Sequence, residues 1–321
     1  MKTALIMGIT GGFGSHLADA LIRDGWRIRA LMRDTARLPA RFAAVEAVAG
    51  NAANMQDVRT AAKGADLIVY GVNAPYTKWE GTVVPMLGVA ATVAEEQQAT
   101  ILFPGNVYFL NPEDGSEFDE SAPVNPPTRK GELRAEMEVR LKTAASNGAK
   151  VIIIRCGDFI GTGAQSWLQH LVKPSGKGYV LQAASDPALV HSYAYLPDVA
   201  RVAVKLVANV NDYANFNVFH FKGYRVNFHD IASAIEAATG RPVKLGAFPW
   251  SIVKIVQFFS PMMRSLVEMR YLWQSEMNLS DNKLESYLGQ PVNYTPLGEA
   301  MLESGLLHHP ADTRQGELKR A

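Results

Sequence analysis

The chain has 321 residues, more than one hydrophobic core usually serves, so a large domain with a smaller companion is expected. Its 32 Lys plus Arg against 31 Asp plus Glu leave a net charge of +1, a balance that offers no polyanion-binding surface and argues against nucleic acid as a partner. The single cysteine, Cys156, excludes an intrachain disulfide framework, and no His, Asp and Glu grouping has the spacing of metal ligands.

The first strand, residues 4–7, empties into a turn carrying Gly8, Gly11 and Gly14, three glycines spaced three apart. Gly8 lets the chain leave the strand in a tight turn. Gly11 removes a side chain so that backbone N–H groups approach phosphates, and Gly14 lets the next helix pack closely. That helix begins at Ser15, repeats apolar residues at Leu17, Ala18, Leu21 and Ile22, and stops at Asp24-Gly25, so its positive dipole end faces the same turn. A second strand follows at 27–32. This order predicts a cradle for a dinucleotide pyrophosphate built from Gly8, Thr10, Gly11, Gly12, Phe13 and Gly14.

Further apolar strands at 44–49, 67–72, 100–103 and 151–154 alternate with helical patterns at 55–63, 83–97 and 130–145. The alternation predicts an α/β, doubly wound Rossmann parallel sheet covered on both faces. Beyond Arg155 the rhythm changes: 163–187 is rich in Gly, Ser and Pro, 195–207 reads as a strand end and a helix returning to the main sheet, and 224–302 reads as small mixed α/β. The expected organisation is a dinucleotide-binding domain of residues 1–155 plus roughly 188–220, a smaller substrate-binding region of 156–187 and 221–307, and a polar tail of 308–321. The first strand has no basic-then-apolar export pattern before it, and the longest apolar stretch, 249–263, holds Lys254 and is too short to span a bilayer. A cytoplasmic protein without a membrane partner is expected.

In such cradles an acidic residue ending the second strand serves the ribose of NAD, whereas an arginine suits the 2′-phosphate of NADP. Here Arg33 stands there, followed by Asp34, so NADP is the expected cofactor, with Asp34 leaving NAD open. Asn51, closing the third strand, offers an amide to the adenine. Val72, Asn73 and Ala74 close the fourth, and Pro104 closes the fifth.

Together with segments 104–108 and 155–161 and the run from Tyr195 to Arg201, these motifs resemble the extended short-chain dehydrogenase/reductase family, the NAD-dependent epimerase/dehydratase group, from residue 2 to about 302. The resemblance implies an NAD(P)-dependent oxidoreductase or epimerase/dehydratase-like enzyme acting on a small carbonyl or nucleotide-sugar substrate. It also implies a homodimer formed by the helices at 83–97 and 130–145, and places Asp198 in the first turn of a helix, where the dipole stabilises a carboxylate.

Members with full dehydrogenase chemistry use a Ser or Thr, a Tyr, and a Lys four residues after the Tyr. On that pattern the serine falls on Pro104, and the tyrosine and lysine fall on Lys130 and Arg134. A proline has no hydroxyl, and an arginine is always protonated and too large to copy the lysine. Three readings stay open. Lys130 is a surrogate proton donor beside Arg134; or Tyr108, or a tyrosine from the substrate side such as Tyr76 or Tyr193, supplies the acid; or the protein is a non-catalytic NAD(P)-binding sensor. A solvated helix face with Lys130, Arg134 and Glu138 as i,i+4 neighbours accounts for the first two positions equally well.

Substrate-lining candidates are Tyr76, Trp79, Asn106, Tyr108, Phe159, Trp167, His191 and Tyr193, whose rings suit a flat or sugar substrate. Lys173, Lys177 and Arg225 form no convincing diphosphate motif. The apolar segment with Phe258, Phe259, Met262 and Met263 is expected to pack as core, with an oligomer contact or the wall of an apolar substrate pocket as the alternatives.

Overall fold

The computed structural model describes residues 1–308, so the expected tail lies, apart from His308, outside the described residues. In its first half β1 (Thr3–Met7), α1 (Gly12–Arg23), β2 (Arg27–Met32), β3 (Glu46–Ala49), α2 (Met55–Ala62), β4 (Leu67–Tyr70), α3 (Val83–Gln97), β5 (Thr100–Gly105), the short β6 (Glu117–Phe118), α4 (Arg129–Ser146) and β7 (Lys150–Cys156) follow one another. The strands are buried almost from end to end, as strands between two helical layers must be.

The second half holds β8 (Asp158–Ile160), α5 (Leu168–Leu171), β9 (Val172–Ser175), β10 (Gly178–Ala183), β11 (His191–Tyr195), α6 (Leu196–Ala208), β12 (Phe216–Phe221), β13 (Tyr224–Val226), α7 (Phe228–Thr239), β14 (Val243–Ala247), α8 (Trp250–Val256), α9 (Pro261–Glu268), α10 (Tyr271–Gln274), β15 (Asn278–Leu279), α11 (Asn282–Leu288) and α12 (Leu297–Glu303). The main sheet has seven strands in the order β12-β7-β5-β4-β1-β2-β3, all parallel, which is the expected doubly wound Rossmann architecture. Its last strand, β12, was not among the strands read from the sequence.

One apolar core lies between the sheet and α1 with α6, and another between the sheet and α2, α3 and α4. A third, around Tyr179, Leu181, Phe228, Ile231 and Trp273, binds the later strands and helices together. Small sheets β14-β10-β9, β13-β11-β8 and β15-β6 frame it. The 195–207 segment returns to the main sheet as expected, α6 packing along α1. Asp198, in its first turn, is buried and accepts hydrogen bonds from the Thr295 N–H at 2.8 Å and the Thr295 hydroxyl at 2.7 Å. Its carboxylate therefore ties α6 to a loop 97 residues away as well as answering the helix dipole.

One packing expectation is overturned. Phe258, Phe259 and Met262 are exposed, and of that segment only Met263 is tucked against a core. The inward face of α8 and α9 is already filled by Trp250, Val253, Met263 and Leu266, so the other apolar residues are turned outward.

Candidate active site

Because the main sheet is parallel, the carboxyl ends of its strands share one edge, and the chain crosses from β3 to β4 over β1, leaving a crevice there. The predicted residues lie along this edge in spatial order: Asn51 after β3, Arg33 after β2, the glycine turn after β1, Val72 to Ala74 after β4, and Pro104 to Tyr108 at the end of β5.

The glycine turn divides its labour. Gly8 has φ +97°, and a Cβ there would stand 2.6 Å from the Gly71 carbonyl oxygen, so both conformation and the neighbouring strand require glycine. A Cβ on Gly14 would overlap the Gly8 carbonyl oxygen. Gly12 faces a different neighbour: its Cβ would lie 2.8 Å from Gly163 and Ala164, and its N–H donates to the Gly163 carbonyl at 3.1 Å. At Gly11, by contrast, the nearest atom to an added Cβ is the Gly8 oxygen at an ordinary 3.4 Å, so protein packing alone does not demand glycine. No side chain caps α1, and among the described residues the Phe13 and Gly14 N–H groups meet no backbone acceptor. An open approach at Gly11 and free N–H groups at a helix start fit a pyrophosphate. Thr10 is exposed on the turn, and Phe13 is buried beneath it.

At the adenine end, Arg33 is exposed and has no ion pair among the described residues. The Asp34 carboxylate accepts from the Ala36 N–H at 3.0 Å, capping the short helical turn that follows. The Asn51 carbonyl oxygen accepts from the Ala53 N–H and its own N–H donates to Asp57, which leaves the amide NH2 as a donor. Pro104 is tolerated inside β5 because pairing with β4 stops at Leu102, so the proline has a strand on one side only.

At the other end three aromatic rings converge. Trp79 is buried, donates its indole N–H to the Ala74 carbonyl at 2.9 Å, and stacks on Tyr76 at 5.0 Å with planes 9° apart. Tyr108 stacks on the same indole at 6.2 Å, and the Tyr76 and Tyr108 hydroxyls are hydrogen-bonded to each other. Both phenols are half-buried. The Asn106 side chain accepts from the Tyr108 N–H at 3.2 Å, fixing the turn that presents the ring.

Helix α4 brings a cation to this pair. Thr128 caps it by accepting from the Gly131 N–H, and Gly131 lets the helix press on the Tyr108 loop, since a Cβ there would overlap the Tyr108 carbonyl oxygen. One turn on, the Arg134 guanidinium lies 4.8 Å from the Trp79 ring centroid and 5.5 Å from that of Phe103, with no hydrogen-bond partner for Nε. Burial pushes the Tyr108 hydroxyl well above the usual phenol range and raises that of Tyr76, while the Arg134 charge pulls both back down. Lys130 also reaches this cluster, its ammonium 6.0 Å from the Tyr76 ring centroid, but its charge is taken by an acid. Its ammonium is buried in an ion pair with Glu268, whose carboxylate also accepts from the Lys130 N–H at 3.2 Å.

Four contributors escaped the sequence reading: Asp158, Glu268, Tyr271 and Trp273. Asp158 starts β8 inside the segment 155–161, is held by the Trp273 indole N–H, and is pushed by burial to about 6, while its charge raises the neighbouring Tyr76, Tyr108 and Tyr193 hydroxyls. Tyr271 donates its hydroxyl to the Tyr108 carbonyl at 2.8 Å. Glu268 holds Lys130. Asp158 could have been found by its place just past the β7 strand end; Glu268, Tyr271 and Trp273 lie more than a hundred residues from Lys130 and Tyr108 and leave no local signal.

The remaining candidates are dispersed. Tyr193 pairs with Asp158 across β11 and β8 but is buried in the third core. Phe159, the next residue along β8, packs against the α1 and α6 core instead. Trp167 packs edge-on against Trp273 at 5.6 Å. His191 is buried against Phe228, its Nε2 unpartnered, and burial lowers it to about 4, so the ring is neutral at neutral pH. Among the described residues no His, Cys, Asp and Glu group is arranged to hold a metal ion.

Residues 8–101 match a family model described as NAD(P)H-binding. No curated protein matches the chain in sequence. Similar solved structures include UDP-glucose 4-epimerase from Brucella ovis in complex with NAD, with TM-score 0.74, 13% identity and coverage of 95% of this chain and 97% of that one. UDP-N-acetylglucosamine 4-epimerase from Bacillus cereus aligns with TM-score 0.70 at 14% identity, covering 94% of this chain and 99% of that one. The enzyme WbmH from Bordetella bronchiseptica in complex with NAD+ aligns with TM-score 0.69 at 16% identity, over 98% of this chain and 99% of that one. The strand-end crevice therefore lies in a part of the chain that matches an NAD(P)H-binding model, and the chain as a whole shares its Rossmann-type fold with these epimerase structures.

Proposed function

We propose that this protein is an NADP(H)-dependent oxidoreductase or epimerase-like enzyme for a small carbonyl or sugar substrate, in which Tyr108 is the proton donor, Tyr76 its partner and Arg134 its cation. One observation carries the reading: two half-buried, hydrogen-bonded phenols stand beside a guanidinium, past the ends of β4 and β5 on the edge that carries the glycine cradle. Bound NADP(H) supplies the hydride. The protein's part is the proton. When Tyr76 donates its O–H to the Tyr108 oxygen, the Tyr108 proton is free for a substrate oxygen; the phenolate left behind keeps the Tyr76 hydrogen bond and the nearby Arg134 charge. The pair thus replaces the hydroxyl missing at Pro104 and the lysine missing at Arg134. Lys130, committed to Glu268, is a positioning residue that holds α4 against the second half of the chain.

Gly8 to Gly14 would hold the pyrophosphate, Arg33 the 2′-phosphate, Asn51 the adenine, and Val72 to Ala74 the ribose path. Residues 156–187 and 221–307 supply the substrate side, with Asp158 and Trp273 opposite the phenols, and the homodimer implied by the fold would use α3 and α4. Turnover of NADPH with a panel of aldehydes, ketones and nucleotide sugars tests the reading. Tyr108→Phe is expected to lower kcat by about 10²–10⁴ and Arg134→Met by about 10²–10³, each with NADPH binding retained. Full turnover in Tyr108→Phe overturns the assignment, and tight, redox-discriminating binding without turnover of any substrate favours a sensor.

A further inference from the structure

The hairpin of α8 and α9 turns an apolar stripe to solvent. Ile252, Ile255 and Val256 share one face of α8 and Phe259 lies in the turn after it, yet Ile252 is 60% exposed, Ile255 66% and Phe259 86%. Phe258, 74% exposed, and Met262 join them at the turn. The opposite stripe, Trp250, Val253, Met263 and Leu266, already serves the third core, so the outward stripe has no partner within the fold. Six large apolar side chains gathered in one place differ from the single exposed leucines and valines of ordinary surfaces.

The charges around the stripe choose its occupant. Residues 249–267 contain no acidic residue, while Lys254 and Arg264 are both exposed on the hairpin. Glu268, the first carboxylate after them, is engaged by Lys130. An apolar face with adjacent phenylalanines, flanked only by cations, is the composition of segments that seat at the headgroup and acyl boundary of an anionic bilayer. Among the described residues no helix is long and apolar enough to cross a membrane, and a surface attachment needs none. The expectation of no membrane partner rested on spanning length alone.

We propose that the α8–α9 hairpin docks the protein peripherally on an anionic lipid surface, with Phe258 and Phe259 entering the acyl boundary and Lys254 and Arg264 at the headgroups. The docked helix α9 ends at Glu268, whose partner Lys130 lies 6.0 Å from the Tyr76 ring centroid, so the attached face adjoins the side of the cleft where substrate would enter.

The test is cosedimentation of the full chain with vesicles of phosphatidylcholine alone and of phosphatidylcholine mixed with phosphatidylglycerol, at low and high salt. The unmodified protein is expected to partition onto the mixed vesicles and to be released by salt. The double variants Phe258→Ser/Phe259→Ser and Lys254→Glu/Arg264→Glu are each expected to lose about ten-fold or more in partitioning. Unchanged circular dichroism and thermal midpoints would show that they fold. Absence of vesicle binding by the unmodified protein, or equal binding by the variants, overturns the proposal. So does a vesicle-free dimer, seen in sedimentation equilibrium, that the Phe258→Ser/Phe259→Ser change dissociates, since the occupant would then be a second copy of the chain.

Discussion

Single residues in the crevice differ in how far their meaning depends on distant chain. Arg33 follows its strand directly and is exposed without an ion pair among the described residues, while Asp34 gives one carboxylate oxygen to the Ala36 N–H; on the proposed reading the guanidinium meets the 2′-phosphate. Arg33→Ala is therefore expected to weaken NADPH by about 10–100-fold while changing NADH by less than about three-fold, measured by titration with both nucleotides. Equal affinity of the unmodified protein for the two would remove the basis for an NADP preference. Gly12 shows the opposite dependence. The sequence assigns it to the phosphate cradle, but in the folded chain its missing side chain also makes room for Gly163 and Ala164, and its N–H is already bonded. Tyr108 is legible in the sequence as a candidate acid and Arg134 as a departure from the family pattern; that both lie against Trp79 is not, because Trp79 and Arg134 are 55 positions apart in the chain and touch only when α4 packs beside the turn after β4.

Among the elements, α4 bears most directly on the site. The sequence allows Lys130, Arg134 and Glu138 to be a solvated i,i+4 face, and the structure overturns that: on the outside it is Arg129 that forms exposed ion pairs, with Glu80, Glu132 and Glu136. The three residues of that face point inward. Glu138 is paired with buried Arg155 at 2.6 Å, Lys130 with Glu268, and Arg134 faces the rings. Gly131 is what permits this approach, since any side chain there meets the Tyr108 carbonyl oxygen and Pro126. Gly131→Ala is expected to cost about 1–3 kcal/mol in stability and to lower turnover more than it lowers NADPH affinity, because α4 must back away from the Tyr108 loop. Chemical denaturation alongside steady-state kinetics separates the two effects, and an unchanged kcat would show that Arg134 does not depend on this contact.

Across the whole molecule, burial of two histidines sets a pH dependence. His220 donates from Nδ1 to the Phe118 carbonyl, receives an N–H from Arg155 at Nε2, and is lowered by burial to about 4; His191 is lowered to about 4 for the same reason. Both sit below the ordinary value of 6.5, so between about 6.5 and 4 the unfolded chain binds protons that the native chain does not. Their contribution is full above pH 6.5 and is lost as pH falls through the folded values. Asp158, raised by burial to about 6, and Glu120, also raised by burial, work in the opposite direction, while His16, lowered by burial, adds to the two histidines. The thermal midpoint is expected to rise from about pH 4 to about pH 6.5, by up to about 3 kcal/mol of stability per histidine, and His220→Gln should flatten the slope. A midpoint that falls over this interval would show that the histidines are protonated in the native state.

The sequence by itself determined the layered architecture and the cradle, because both rest on short-range rules: apolar runs of strand length, helical periodicity, and glycines placed where the first βα turn requires them. It also marked Asp198 as a helix-start carboxylate, though not its bond to Thr295. Tertiary structure decided which groups surround the two phenols. Asp158, Glu268, Tyr271 and Trp273 reach Tyr76, Tyr108 and Lys130 from the far half of the chain, and only packing determines which buried polar groups become neighbours. It decided the hairpin as well. A run of apolar residues reads the same whether it faces a core or the solvent, and here the third core was full before Phe258 and Phe259 were reached.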